Sequence, residues 1–305
     1  MQALQALAGR RRLRAKVHSV FAHAVNLQAD FGICTLLYDT ALRPNSVLLS
    51  ENPYFQSWPL HDESLFFLSP EKIWTDDPAQ GLCVELIPAK AIDLRLRRPA
   101  NKGFIGGLEQ KMDIIAKAVF QSGRHEGLAP LLCNAPVGIH AAIYAVKENP
   151  YSLFLRPKID CFCRVMEQND LAAIRRAAAG IAGCGPGLTP SADDFILGFI
   201  CVWSLGETGG AFTQAKIDAA ALEAVKHTGS ISAAFLRHCA QGLYSLDILQ
   251  FAEALQEDTT EPPGGDPAGD NLRAACEKVL QFGAASGADF LCGAFYALMS
   301  RRPAV

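Results

Sequence analysis

The stretch Gly183-Cys-Gly-Pro-Gly-Leu-Thr-Pro-Ser-Ala-Asp-Asp194 crowds glycines, hydroxyls and paired carboxylates together. Gly183, Gly185 and Gly187 let backbone N–H groups converge with no side chain in the way. Thr189-Pro190-Ser191 then sets a helix start, with Thr or Ser as cap and Pro in the first turn. Free amides and the positive end of a helix dipole together suit a phosphate or a carboxylate. The stretch is no Walker loop, since no Gly-Lys-Ser/Thr follows. Nor is it a dinucleotide fingerprint, since it runs Gly-x-Gly-x-Gly with no clear strand before it. Asp193 and Asp194 fall in the first turn, where the dipole favours negative charge by about 0.3–1 kcal/mol. They would repel an anion. Either they point elsewhere, or a Mg²⁺ ion intervenes, or one accepts an N–H from the ligand. Asp193 and Asp194 are therefore the catalytic candidates, with Gly183, Gly185, Gly187, Thr189 and Ser191 as substrate-binding candidates.

A second copy of part of this pattern lies downstream. Ser191-Ala-Asp-Asp194-Phe195-Ile-Leu-Gly198 and Ser286-Gly-Ala-Asp289-Phe290-Leu-Cys-Gly293 share Ser-x-x-Asp-Phe-(Ile/Leu)-x-Gly. In each, Ser suits an N-cap and Asp the third helical position, a capping box with Asp for Glu. The glycine four residues after Asp would let two buried helices approach closely, and two similar helix N-termini are expected. Ser286 and Asp289 join the candidates by this logic. Thr228 and Ser230, in the hydroxyl-rich start Thr228-Gly-Ser230-Ile-Ser232, could add anion donors. In the N-terminal part, His18-Ser19 and Asn26 lie near Arg43-Pro-Asn45-Ser46, where Asn45 is a natural turn residue. No His-x-x-x-His pair occurs, and no zinc site is assigned. Cys184 is the one cysteine with a setting that invites a test as nucleophile.

The elements that must position these residues change character along the chain. From about Lys16 to Arg98 short runs bounded by Pro, Asn, Asp and Gly read as strands: 33–38, 46–49, 65–68, 82–87 and 92–96. Five or six strands there suggest a small barrel or sandwich. After Pro99 the period is helical, over 108–121, 171–182, 191–205, 217–226, 231–243, 246–255, 272–282 and 286–299. Tyr151-Ser-Leu-Phe-Leu155 could return as a strand, and Glu257–Asp270 reads as a mobile surface loop. The fold class is α+β, with a β-rich domain over 14–100 and a mainly helical domain over 101–305.

Half of the 305 residues are hydrophobic and 19% are charged, ordinary values for a globular chain. A net charge of -3 advertises neither nucleic acid nor an anionic membrane as partner. Ten cysteines without any Cys-x-x-Cys look like small core hydrophobes in a reducing cytoplasm. No uninterrupted apolar run reaches the length of a membrane span.

Lys16-Val-His-Ser-Val-Phe-Ala-His-Ala-Val-Asn-Leu27, Pro44-Asn-Ser46, Gly183 to Gly198 and Ser286-Gly-Ala-Asp289 resemble the AllH-like (YlbF-like) family. The resemblance runs from about residue 14 to 300, and the Gly-Pro-Gly-Leu-Thr-Pro-Ser-x-Asp-Asp block is its most specific part. It implies a subunit of oxamate carbamoyltransferase, an enzyme of anaerobic allantoin breakdown. It further implies an FdrA-type, CoA-ligase-like partner and a second large subunit. The implied reaction exchanges carbamoyl phosphate plus oxamate with oxalurate plus phosphate. Two departures from the expected pattern stand out: Ala192 for glycine, and Ala284-Ala285 for a His-Ser/Thr pair. Two other readings stay open, a non-catalytic assembly or regulatory subunit and a Mg²⁺-dependent enzyme of a phosphorylated small molecule.

Overall fold

A computed structural model describes residues 12–61, 64–75, 81–86, 90–97, 107–134, 146–206, 211–257 and 267–301. The chain divides into two compact units, Met1–Leu94 and Arg95–Val305.

The first unit is built on one seven-stranded sheet in the order β4-β3-β2-β1-β5-β6-β7, which curls into half a barrel. Its strands are β1 (Leu13–Val20), β2 (Ala24–Ala29), β3 (Gly32–Leu37), β4 (Ser46–Leu48), β5 (Leu65–Leu68), β6 (Lys72–Thr75) and β7 (Cys83–Glu85). All pairings are antiparallel except β3 with β4. Alternation along β1 buries Leu13, Ala15 and Val17 and leaves Arg14 and Lys16 outside, as a sheet with one covered face requires. That face gathers Val25, Leu27, Leu36, Phe55, Phe66, Leu68 and Ile73 into its own core. The β1–β2 register slips between Val17 and Ser19, so His18 sits on a bulge. The strand expected over 92–96 is absent: Arg95 makes only an isolated antiparallel bridge with Leu243 among the described residues, within the second unit.

The second unit is helical: α1 (Leu108–Gln121), α2 (Pro150–Glu167), α3 (Leu171–Ile181), α4 (Ser191–Ser204), α5 (Ala211–Ala224), α6 (Ser230–Ala240), α7 (Leu246–Ala254), α8 (Pro267–Val279) and α9 (Ser286–Met299). The stretch 151–155, expected as a strand, opens α2 instead. Asn149 accepts the Ser152 amide and the Ser152 hydroxyl faces the Asn149 amide, a reciprocal cap with Pro150 at the first helical position. That cap outweighs the β-leaning Tyr and Phe. The loop expected over 257–270 lies outside the described residues from 258 to 266, and α8 begins at Pro267.

Helix C-termini are closed by cations from elsewhere in the unit. Lys158 donates to Gly180 O at the end of α3, Lys216 to Met166 O at the end of α2, and Arg301 to Trp203 O at the end of α4. Lys111, fully buried, donates to Leu255 O and Glu257 O beyond α7. Each contact satisfies carbonyls that a helix end leaves orphaned and opposes the negative dipole end.

At the centre α4 and α9 are the most closely packed pair. Both are buried nearly all round, which explains why neither shows a polar face in the sequence. Gly198 of α4 lies against the Phe290 carbonyl, and Gly293 of α9 lies against the Phe195 carbonyl; a Cβ at either would collide. The crossing is reciprocal, fifth residue of one octet against eighth of the other. All ten cysteines are free thiols, and burial pushes those of Cys34 and Cys239 up to about 12, as small core groups should behave.

Candidate functional site

Gly183, Gly185 and Gly187 all take positive φ, at 74°, 134° and 84°. At Gly185 the requirement is twofold, because a Cβ would also run into the Ser191 amide. The loop folds back on the start of α4, where Ala192 N donates to Cys184 O at 3.0 Å. Pro190, not Ser191, is the N-cap, and no side chain caps α4; Ala285 caps α9 likewise without a side-chain bond. The expected capping boxes are therefore not formed. Pro190 and Ala285 hold the cap positions, which shifts both serines to the first helical position and both aspartates to the fourth, beyond reach of a reciprocal cap.

The serines work across the helix pair instead. The Ser191 hydroxyl supports the Asp289 carboxylate, and the Ser286 and Thr189 hydroxyls support that of Asp194. Thr189 Oγ1 and Ser286 Oγ are themselves 2.9 Å apart, joining the two loops. Asp289 Oδ1 accepts the Leu128 amide at 2.6 Å. Asp194 and Asp289 are 5% and 1% exposed, yet Oδ2 of each meets no hydrogen-bond partner. Burial pushes both acids upward, Asp289 to about 7; Asp194 rises well above the carboxylate range, from burial first and then from Asp289 beside it.

Asp193 has a different task. Its Oδ1 accepts the Gly183 amide at 2.8 Å, and its Oδ2 accepts the hydroxyls of Thr228 and of Ser232, the latter at 2.7 Å. Burial raises its pKa, and these donors oppose the rise. It ties the glycine loop to the start of α6. Thr228, expected to offer its hydroxyl to an anion, spends it on Asp193. Ser230 stands at the first position of α6, whose N-cap is Gly229.

What remains open at the loop is backbone. Among the described residues no protein acceptor meets the amides of Gly185, Gly187, Leu188, Thr189 or Ser191. They lie in the stretch that leads into the positive end of α4, exposed at Gly187 and Leu188, half-buried at Gly185 and Thr189 and buried at Ser191. Cys184, also half-buried, contributes its carbonyl to the loop. Among the described residues no group of three or more His, Cys, Asp or Glu side chains is placed to hold a metal ion.

The remaining candidates lie in the sheet unit. Thr35 Oγ1 donates to Asn26 Oδ1 at 2.8 Å, Asn26 Nδ2 donates to Ser19 Oγ at 2.9 Å, and His18 Nδ1 lies 3.2 Å from the same hydroxyl. Asn45 takes a positive φ of 54° in a turn, and its carbonyl receives the Thr35 amide. Sequence reasoning missed Thr35 as a member of the sheet network, which the period-2 pairing of β2 to β3 could have flagged.

Two family models match the chain. One, described as oxamate carbamoyltransferase subunit AllH, covers residues 181–298 and so contains the loop, α4 and α9. The other, the AllH family N-terminal domain, covers residues 1–91. No curated protein and no solved structure gives a significant match.

Proposed function

The chain belongs to the AllH family, and we propose that it serves as a subunit of an oxamate carbamoyltransferase-type complex. In this reading carbamoyl phosphate and oxamate give oxalurate and phosphate, within anaerobic allantoin breakdown, a branch of purine catabolism in the cytoplasm. The partners are an FdrA-like, CoA-ligase-like subunit and a second large subunit.

The observation that carries the reading is the set of unmet amides from Gly185 to Ser191 at the positive end of α4. Such a cradle suits a dianionic phosphate. Asp193, saturated by three donors, braces the cradle from behind. Asp194 and Asp289 supply the acid–base chemistry beside it, and Thr189, Ser191 and Ser286 connect them to the loop. Catalysis of this type rests on positioned dipoles and on holding two reactants together.

The test is co-purification with the partner subunits, then an assay for oxalurate with and without this chain. Turnover is expected only with it. Gly185→Ala, which spoils the cradle, should leave assembly intact and lower turnover by at least about tenfold, a loss of about 1.4 kcal/mol in transition-state stabilisation. Unchanged turnover in that variant would remove the loop from the mechanism.

A further inference from the structure

The two octets cross so that each helix completes the other's acidic residue. Ser191 of α4 serves Asp289 of α9, and Ser286 of α9 serves Asp194 of α4. Each acid keeps one oxygen, Oδ2, with no partner at 5% and 1% exposure. The titratable groups facing the pair are Asp193 on α4 and Cys292 on α9, with Cys133 from the 3-10 turn Ala129–Asn134 beyond the latter. No lysine, arginine or histidine faces either carboxyl among the described residues. Two desolvated carboxylates with no counter-cation cannot both stay ionised, and one proton held by either of them removes one charge.

We propose that Asp194 and Asp289 act as one proton-sharing pair, which takes the proton released by the attacking nitrogen and returns one to the departing phosphate. The half-buried Thr189 and Ser286 hydroxyls, in contact with each other and supporting Asp194, are the route between the buried pair and the cradle. This rests on the carbamoyl-transfer reading. The oxamate nitrogen forms a bond to the carbamoyl carbon, the bond from that carbon to the phosphate oxygen breaks, and the nitrogen loses one proton. The ionised member of the pair gains that proton while the neutral member's proton goes to the leaving oxygen. The pair ends each turnover with one proton, as it began, and no further reactant is needed.

Infrared difference spectroscopy on the full chain reads the pair directly. A protonated-carboxyl C=O band is expected at pH 7. Asp194→Asn and Asp289→Asn should each move its disappearance down by a unit of pH or more, because the remaining acid loses its like-charged neighbour. Asparagine at 289 retains an oxygen for the Leu128 amide, so the fold has its anchor. No band at pH 7, or a band that neither variant shifts, overturns the pair. In the assembled complex, Asp289→Asn should move the alkaline limb of the turnover profile down with the band. A limb that stays put overturns the catalytic role. Thr189→Val with Ser286→Ala should keep the band and lower turnover at least tenfold; undiminished turnover overturns the route. If the wild-type complex transfers no carbamoyl group, the proposed function and the pair's catalytic role fall together. The band still reports separately on whether the proton is shared.

Discussion

Asp193 and Asp194 are neighbours of one residue type, yet the structure gives them opposite settings. Asp193 meets three donors, whereas Asp194 keeps an oxygen unmet. Replacing Asp193 by Asn would set an amide NH₂ against hydroxyl donors, leaving buried donors unsatisfied at about 1–3 kcal/mol. Urea unfolding should report a lowered midpoint with an unchanged slope. For Asp289 the effect is on pH dependence. Its folded pKa of about 7 exceeds the unfolded value of about 3.9, so between these the native chain binds more protons. That contribution to stability is complete below about pH 4 and is lost as pH rises through 7, at up to about 1.4 kcal/mol per pH unit. Asp289→Asn is expected to flatten this descent, measured as stability across pH 4 to 8. A descent equally steep in the variant would show that the carboxyl is ionised in the fold.

Helix pairing decides whether the acids meet at all. The Gly198 and Gly293 crossings set the separation of α4 from α9, and a methyl group at either meets a backbone carbonyl that cannot move alone. Gly198→Ala should therefore destabilise by about 1–3 kcal/mol or more, as overpacking does, and should lower turnover by displacing Asp194 from Asp289. Thermal unfolding together with the infrared band would separate the two effects. The glycine spacing made this crossing legible in the sequence, and the limits 108–121 and 286–299 were legible because small residues or turns bound them. What stayed hidden was partnership. A repeated Ser-x-x-Asp reads locally as a self-capping turn, and only the packing of two copies shows that each serine serves the other copy's aspartate. The start of α2 was hidden for a local reason: aromatic and β-favouring residues at 151–155 masked the Asn149-Pro150-x-Ser152 cap.

Among the described residues each unit carries its own buried core and its own polar network. Asp194, Asp289 and the unmet loop amides belong to the helical unit, and the His18–Ser19–Asn26–Thr35 chain belongs to the sheet unit. One family model falls on each unit, so the proposed function has to account for the sheet as well as for the loop. Burial separates the parts played within the sheet network. Asn26, 8% exposed, satisfies Ser19 and Thr35 from its two ends, so Asn26→Ala should destabilise the fold by about 1–3 kcal/mol through the orphaned Thr35 hydroxyl. His18 is half-buried on the bulge of β1, where an extra residue re-aims a side chain. His18→Ala should cost little stability, and its effect should fall on turnover or on assembly with the partner subunits. Urea midpoints and turnover of the assembled complex, measured on both variants, test the division. Turnover per folded chain that falls with Asn26→Ala and not with His18→Ala would reverse it, placing the sheet's contribution to turnover at the buried end of the network.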